Sequence, residues 1–185
     1  MNEMRITLTY PWDTTGYKPR VEYVLSMDKE GFCMHMTVHE RNPRRVETKH
    51  QGRIHMDSCA EWFVNFAPKL CDRYFNFEVN ANGAMRVAFR KDRHDSVSLS
   101  LEDIELLDIR TEISSDQWEV RYHVPFALIE KYIPGYCFEE GMKIRTNFYK
   151  CGDGMEFPHF GIWKEYPLLQ PDFHRPEYFA EITLD

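Results

Sequence analysis

Asp57-Ser58-Cys59-Ala60-Glu61-Trp62-Phe63-Val64-Asn65-Phe66 alternates with a period of two. Ala60, Trp62, Val64 and Phe66 fall on one side, with Glu61, Phe63 and Asn65 on the other. One face is dry and the other mixed. After a break at Pro68, Arg73 to Asn80 alternates again, Phe75, Phe77 and Val79 opposing Tyr74, Asn76, Glu78 and Asn80. Asn82-Gly83 follows, a dipeptide that tolerates the positive φ angles of a tight hairpin turn. Met85, Val87 and Phe89 then alternate with Arg86, Ala88 and Arg90. Asp57 to Arg90 is therefore read as a strand followed by a complete β-hairpin.

The same period recurs on both sides of this stretch. Ile6 and Leu8 form a first edge strand. Val21 to Leu25 pairs with Phe32, Met34, Met36 and Val38 through the turn formers Asp28-Lys29-Glu30-Gly31. Ser96 to Ser115 carries at least one strand, with Val97, Leu99 and Leu101 alternating. Trp118, Val120, Tyr122 and Val124 alternate up to Pro125, which starts a short helix, Phe126 to Tyr132, at a position where a missing amide hydrogen costs nothing. Ile144, Thr146 and Phe148 oppose Arg145, Asn147 and Tyr149, and Cys151-Gly152-Asp153-Gly154 ends that run as a turn. Pro158 to Pro176 is irregular and rich in aromatics, and Tyr178 to Leu184 closes the chain as a strand. Trp62, Phe75, Phe77, Trp118 and Val120 are assigned to the core.

At 185 residues, with no sharp shift of composition, the chain is read as one domain spanning 1–185. An aromatic content of 15% with few helical periodicities favours strands. The expected fold is all-β: a two-sheet antiparallel β-sandwich, immunoglobulin- or jelly-roll-like, of about ten strands with one or two short helices. A net charge of −7 argues against nucleic acid or an anionic membrane as partner. The basic run Arg41, Arg44, Arg45, Lys49, His50 and Arg53 reads as a solvated loop rather than an anion site. Five cysteines without paired short spacings signal neither a disulfide framework nor a zinc knuckle. With no basic n-region and apolar h-region at the start, the chain as given reads as cytoplasmic; a secreted chain trimmed of its signal peptide would read the same.

Few residues announce chemistry. A nucleophile elbow and phosphate-cradling glycine loops are missing. His35 and His39 share a strand face but lie about 13 Å apart, too far to ligate one ion, so both are read as ordinary half-buried histidines. Asp92-Arg93-His94-Asp95 offers oxygens to calcium, but such ligands must converge from several loops, and no cofactor is expected. Glu61, Glu78, Asp153 and Glu156 are carboxylates of the type a glycosidase pairs, at a separation that spacing cannot measure. Several strand faces combine a ring with amide, carboxylate or guanidinium groups, as sugar receptors do: Glu61, Phe63 and Asn65; Tyr74, Asn76 and Glu78; Arg145, Asn147 and Tyr149. Phe173 and His174, between Pro171 and Pro176, are expected to be held outward as the ligand-facing part of the late loop. Trp163, in the apolar run after Phe160-Gly161-Ile162, is expected to anchor that loop.

Several of these segments together resemble the family 9 carbohydrate-binding modules and the related sandwich domains called DOMON-like. Asp57 to Val64 is similar to the family's D-S-V-E-x-F-I strand with one extra residue. Tyr74 to Asn80 with its turn, Val124-Pro125-Phe126, Arg145 to Phe148, Trp163 and Phe173-His174-Arg175-Pro176-Glu177-Tyr178-Phe179 follow in the family's order. The resemblance implies a sandwich whose sheet and end loops hold terminal sugars of a glycan between aromatic rings. By position it places Glu61 on the family's ligand-binding glutamate, Phe173 on a stacking tryptophan and Gln170 on a polar contact. Two departures stand out. Arg53-Ile54-His55-Met56 occupies the place of the other stacking tryptophan, and Glu78 that of an arginine, so one wall for the sugar ring is missing unless Trp12, Tyr166 or another loop ring replaces it.

The resulting expectation is a non-catalytic module, not an enzyme. It would bind glycan ends or small saccharides through Glu61, Glu78, Asn147, Gln170, Phe173 and His174, beside a glycan-degrading enzyme as a possible partner. A glycoside hydrolase using paired carboxylates, and a cytosolic interaction or small-molecule sensing domain that has lost the sugar site, are the alternatives.

Overall fold

The computed structural model describes residues 3–184. In chain order its elements are β1 (Met4–Thr7), β2 (Arg20–Met27), β3 (Gly31–His39), β4 (Cys59–Asn65), β5 (Tyr74–Asn80), β6 (Met85–Arg90), β7 (Ser96–Ser98), α1 (Leu101–Glu105), β8 (Arg110–Ile113), β9 (Trp118–Pro125), α2 (Phe126–Tyr132), β10 (Lys143–Cys151), β11 (Phe160–Ile162) and β12 (Ala180–Thr183). Ile54–Met56 and Pro176–Tyr178 are single 3-10 turns. The strands build two antiparallel sheets. One runs β1-β2-β3-β9-β8; the other runs β11-β10-β4-β5-β6-β7, with β12 also paired to β10. The fold is a β-sandwich, and among the described residues no helix is long and apolar enough to cross a membrane.

The inward positions of both sheets form one core, in which Trp62, Trp118, Phe75, Phe77 and Val120 are all buried. Trp62 stacks on Phe77 with ring centres 5.4 Å apart and meets Phe66 edge-on, while its indole N–H donates to Thr146 Oγ1 at 2.8 Å. That bond satisfies the one polar atom the ring carries into the core. Tyr23 crosses between the sheets, donating its hydroxyl to the Tyr149 carbonyl and accepting from the Glu61 amide. The smaller sheet is thereby pinned directly beneath β4 and β10.

Local chemistry accounts for the connections. In the β2–β3 turn the Asp28 carboxylate accepts from the amides of Glu30 and Gly31, at 2.7 and 2.9 Å. The β5–β6 connection is longer than the two-residue turn read from Asn82-Gly83. The pairing stops at Val79 and Met85, only Gly83 takes a positive φ (76°), and the Asn80 side chain accepts from the amides of Asn82 and Ala84. Asn80 thus caps the loop that the dipeptide alone would have closed.

Other boundaries differ from the sequence reading. The first strand ends at Thr7, leaving Leu8 outside, and Thr9 bridges instead to Ile162. Ser96 to Ser115 holds two short strands and α1, whose start is capped by Ser100 accepting from the Asp103 amide. Five residues are too few for helical periodicity to show. Phe160–Ile162 forms a strand inside the stretch read as irregular, and the final strand is shorter because Pro176 opens a 3-10 turn before it. On the outer face of the smaller sheet, His35 sits 2.7 Å from Glu119 and His39 lies 3.6 Å from Glu22. The basic run is partly structural: Arg44 pairs with buried Asp57, Arg45 donates to Asn82, and His50 Nδ1 accepts from the Met85 amide.

Candidate functional site

The mixed face of β4 does not meet solvent. With the matching faces of β5, β6 and β10 it forms the floor of a cleft of about 480 Å³ on the outer side of the larger sheet. Antiparallel register aligns one residue from each strand into a row across that floor: Tyr149 opposite Glu61, Glu61 opposite Glu78, Glu78 opposite Arg86. Partners directly opposite on one face lie about 5 Å apart, so the row sets an aromatic, two carboxyls and a guanidinium side by side.

Three irregular segments wall the cleft. The Ile54–Met56 turn is held against the loop after β10 by bonds from the amides of Asp153 and Gly154 to the carbonyls of His55 and Met56. A Cβ on Gly154 would stand 2.7 Å from the Met56 carbonyl, so this close approach needs glycine. The contact brings His55 and Asp153 to one end of the cleft. At the other end the Lys91–Asp95 loop supplies Arg93, which pairs with Asp172, while the Arg90 Nε donates to Asn76 Oδ1 at 2.6 Å.

The third wall is the late loop. The Asn147 side chain grips it at Lys164, donating to the carbonyl (2.9 Å) and accepting from the amide (3.0 Å), and the Trp163 ring meets Phe148 edge-on. Trp12 donates its indole N–H to the Leu168 carbonyl. These ties lay Phe173 flat on Tyr149, ring centres 4.2 Å apart and 17° from parallel, with Phe160 edge-on to it at 6.2 Å and 68°. Phe173 is therefore 9% exposed and faces inward, which corrects the expectation that its flanking prolines hold it outward. The pull of a second apolar cluster, including Phe63, Tyr74, Tyr149 and Phe179, outweighs the stiffness of the backbone.

Burial dominates the electrostatics. Glu61 titrates well above its ordinary range because it is desolvated, with Glu78 alongside adding repulsion; Glu78 is raised by burial too, against the pull of Arg86 and Arg90. Two carboxylates opposite each other cannot both ionise cheaply, and the pair keeps a proton that exposed acids would release. The His174 pKa falls to about 3, first through burial and then through Arg90 and Arg93, so its imidazole is neutral. Its Nδ1 lies 2.8 Å from the Tyr74 hydroxyl, whose own pKa burial raises; with tyrosine as donor, the histidine keeps Nε2–H as a donor group.

Of the residues singled out from the sequence, Glu61, Glu78, Phe173 and His174 line this one cleft. Asn147 is fully buried and occupied with Lys164, and Gln170 is exposed on the late loop, so neither is among the lining residues. Trp12 packs on Phe173 and Tyr166 on Trp12, and both stay out of the lining; the second ring in the cleft is Phe160. Sequence reasoning missed His55, Arg86, Arg90, Arg93 and Phe160 as site residues, and it named Asp153, which also lines the cleft, only among carboxylates of the glycosidase type. A usable signal existed for Arg86 and Arg90, because the β5–β6 hairpin puts them on the face of Glu78 and Tyr74.

Beside the row, Cys59 and Cys151 oppose each other on β4 and β10, and their sulfurs and a Glu61 oxygen lie within 4.8 Å of one another. Burial pushes the Cys59 thiol up to about 12, and the Cys151 thiol is raised by its bond to Cys59 and by burial. Calcium selects hard oxygen donors, which two neutral thiols and one buried carboxyl do not provide.

With this geometry in hand, the relatives can be placed. The family described as carbohydrate-binding family 9 matches residues 3–184. No curated protein matches the chain. A candidate carbohydrate-binding protein from Bacteroides uniformis superposes with a TM-score of 0.86 at 25% identity, covering 99% of this chain and 87% of its own. Two structures of a family 9 module from Caldicellulosiruptor kristjanssonii share the fold at 11% identity. The one in complex with glucose has a TM-score of 0.65 over 97% of this chain and 84% of its own. The one with cellotriose has 0.67 over 99% and 83%.

Proposed function

The chain belongs to carbohydrate-binding family 9, and from that membership and the cleft we propose that it binds saccharides without transforming them, at the row Glu61, Glu78 and Arg86. The observation that carries this is the convergence of hydroxyl-seeking groups with an aromatic edge in one cleft. Glu61 and Glu78 accept hydroxyl hydrogens or, with their retained proton, donate one. Arg86, Arg90 and the His174 Nε2–H donate to ring and hydroxyl oxygens, and half-buried Phe160 offers an apolar face. Phe160 takes the part of the missing wall, edge-on to Phe173 rather than parallel to it. In this reading the module would hold a glycan-degrading enzyme against its polysaccharide.

A hydrolytic reading has one observation in its favour: Glu61, Glu78 and Asp153 share the cleft, and burial raises the Glu61 pKa in the direction a general acid needs. The geometry opposes it. Glycosidase carboxyls flank the scissile bond, whereas Glu61 and Glu78 stand side by side on one floor and compete for a proton. Calorimetric titration with a panel of neutral and acidic oligosaccharides, with the products assayed for new reducing ends, separates the readings. Saturable binding without new ends supports the module, accumulating ends support the hydrolase, and silence across the panel supports an emptied site. Phe160→Ala is expected to weaken saccharide binding by about 1 to 2 kcal/mol, the size of a lost aromatic contact, without shifting the melting temperature appreciably.

A further inference from the structure

The cleft is not electrically even. Along the row, and then down β6, the strand order runs from two carboxyls to two guanidiniums, Arg86 and Arg90, with Arg93 above them on the next loop. Among the described residues the first two act on Glu78 only at longer than ion-pair distance. Arg93 is paired with Asp172, and Arg73, outside the cleft, with Asp95; none of the ion pairs includes Arg86 or Arg90. Arg90 is oriented through Asn76 Oδ1 and the Arg93 carbonyl, bonds that use Nε and Nη1 and leave Nη2. Arg86 is half-buried and faces Glu78, but at more than ion-pair distance. A guanidinium presents its donors as a planar fork; although Arg86 and Arg90 sit two pleats apart, about 13 Å at the backbone, their long side chains both reach the one cleft and can close there on a planar or tetrahedral anion.

We propose that the saccharide bound in this cleft is acidic, its anionic group held between Arg86 and Arg90 while Glu61 and Glu78 take the hydroxyls of the same sugar. This rests on the saccharide reading above and narrows it. Retention of a proton by the two carboxyls fits the assignment, since an ionised pair would repel the ligand that the arginines attract. Asp153, exposed at the far end beside His55, lies on the carboxyl side and faces the neutral part of the sugar. A carboxylate and a sulfate present the same fork-matching oxygens, so both belong to the class.

The test is calorimetric titration of the full chain with galacturonate trimers, a sulfated hexose and their neutral counterparts, at low and high salt, for the wild type, Arg86→Gln and Arg86→Lys. The expected result is binding of at least one acidic probe about tenfold tighter than its neutral counterpart, a gap narrowed by salt. Arg86→Gln should remove most of that preference, and Arg86→Lys should keep part of it, because charge survives and the fork does not. Preference for the uronate or for the sulfated hexose identifies the anion. Equal affinity for acidic and neutral sugars, or a preference untouched by Arg86→Gln in a variant that melts like the wild type, overturns this proposal and leaves saccharide binding standing. No binding of any probe by the wild type overturns both.

Discussion

Glu61 shows how a single buried side chain can set both stability and recognition. Its carboxyl sits opposite Glu78 and beside two neutral thiols, so the folded protein holds it protonated at a pH where the unfolded chain releases the proton. A folded pKa raised above the ordinary 4.5 means this contribution to stability is intact below pH 4.5 and is lost as pH rises toward the folded value. Glu61→Gln keeps the shape and removes the titration. Its unfolding free energy should therefore gain on the wild type by up to about 1.4 kcal/mol per pH unit above that point, and match it in acid. Urea melts across that range check this, and a gain that grows toward acid would reverse the assignment. Phe173 presents the opposite balance. Stacked on Tyr149 and 9% exposed, it is both a cleft wall and part of a small core, so Phe173→Ala should lower stability by about 3 kcal/mol as well as weaken binding. A variant that lost binding while melting like the wild type would mean that the ring is not seated there.

Elements divide into those whose period is visible and those positioned by distant partners. Strands β2 to β6 and β9 were legible because one of their faces is purely apolar, β10 because Ile144 and Phe148 keep the period, and α2 because Pro125 marks its start. The cleft was legible in part: alternation puts Glu61 and Glu78 on the mixed faces of neighbouring strands, but only the register makes them opposite. His55 and Arg93 were not legible, and Asp153 was a candidate by residue type alone, since each reaches the cleft from an irregular segment through backbone bonds that leave no pattern in side-chain type. Asn147 is instructive because it was read as a sugar contact. Its residue type was the visible signal, yet its amide is consumed in holding Lys164, which makes it a support for the late loop. Asn147→Ala should leave the Lys164 amide and carbonyl without these partners, lowering stability by about 1 to 3 kcal/mol. Amide hydrogen exchange should accelerate from Lys164 to His174 more than in β4 and β5; uniform acceleration would show that Asn147 supports the sheet instead of the loop.

The two sheets are joined by more than apolar contact. At the end of the sandwich near Asp57, Lys150 on β10 points into the interior with no exposed surface, 4.0 Å from Glu40 just after β3, and donates to His159 Nε2 at 2.7 Å and to the Cys151 carbonyl at 2.8 Å. Glu40 in turn accepts from Ser58, Tyr17 and the Trp118 indole. Each sheet thus contributes one charge to a dry network whose remaining hydrogen-bonding capacity is filled by neutral donors and acceptors. His159 belongs to it as a neutral base, its pKa lowered to about 4 by burial and then by Lys150. The unfolded chain protonates this histidine first as pH falls below its ordinary 6.5, so the network weakens between that value and about 4. The phase of β10 hid all this, because Lys150 occupies an inward position that continues Thr146 and Phe148 while its residue type is that of an exposed one. Charges buried in a pair give a sharp expectation. Lys150→Met or Glu40→Leu alone strands the other charge and should cost about 3 to 5 kcal/mol, whereas the double variant should recover most of that loss, since apolar side chains of similar volume need no partner. Urea unfolding of the three variants reads the coupling directly. Additive losses in the double variant would mean that Lys150 and Glu40 are held by their separate neighbours, and that the sandwich closes at this end without help from their attraction.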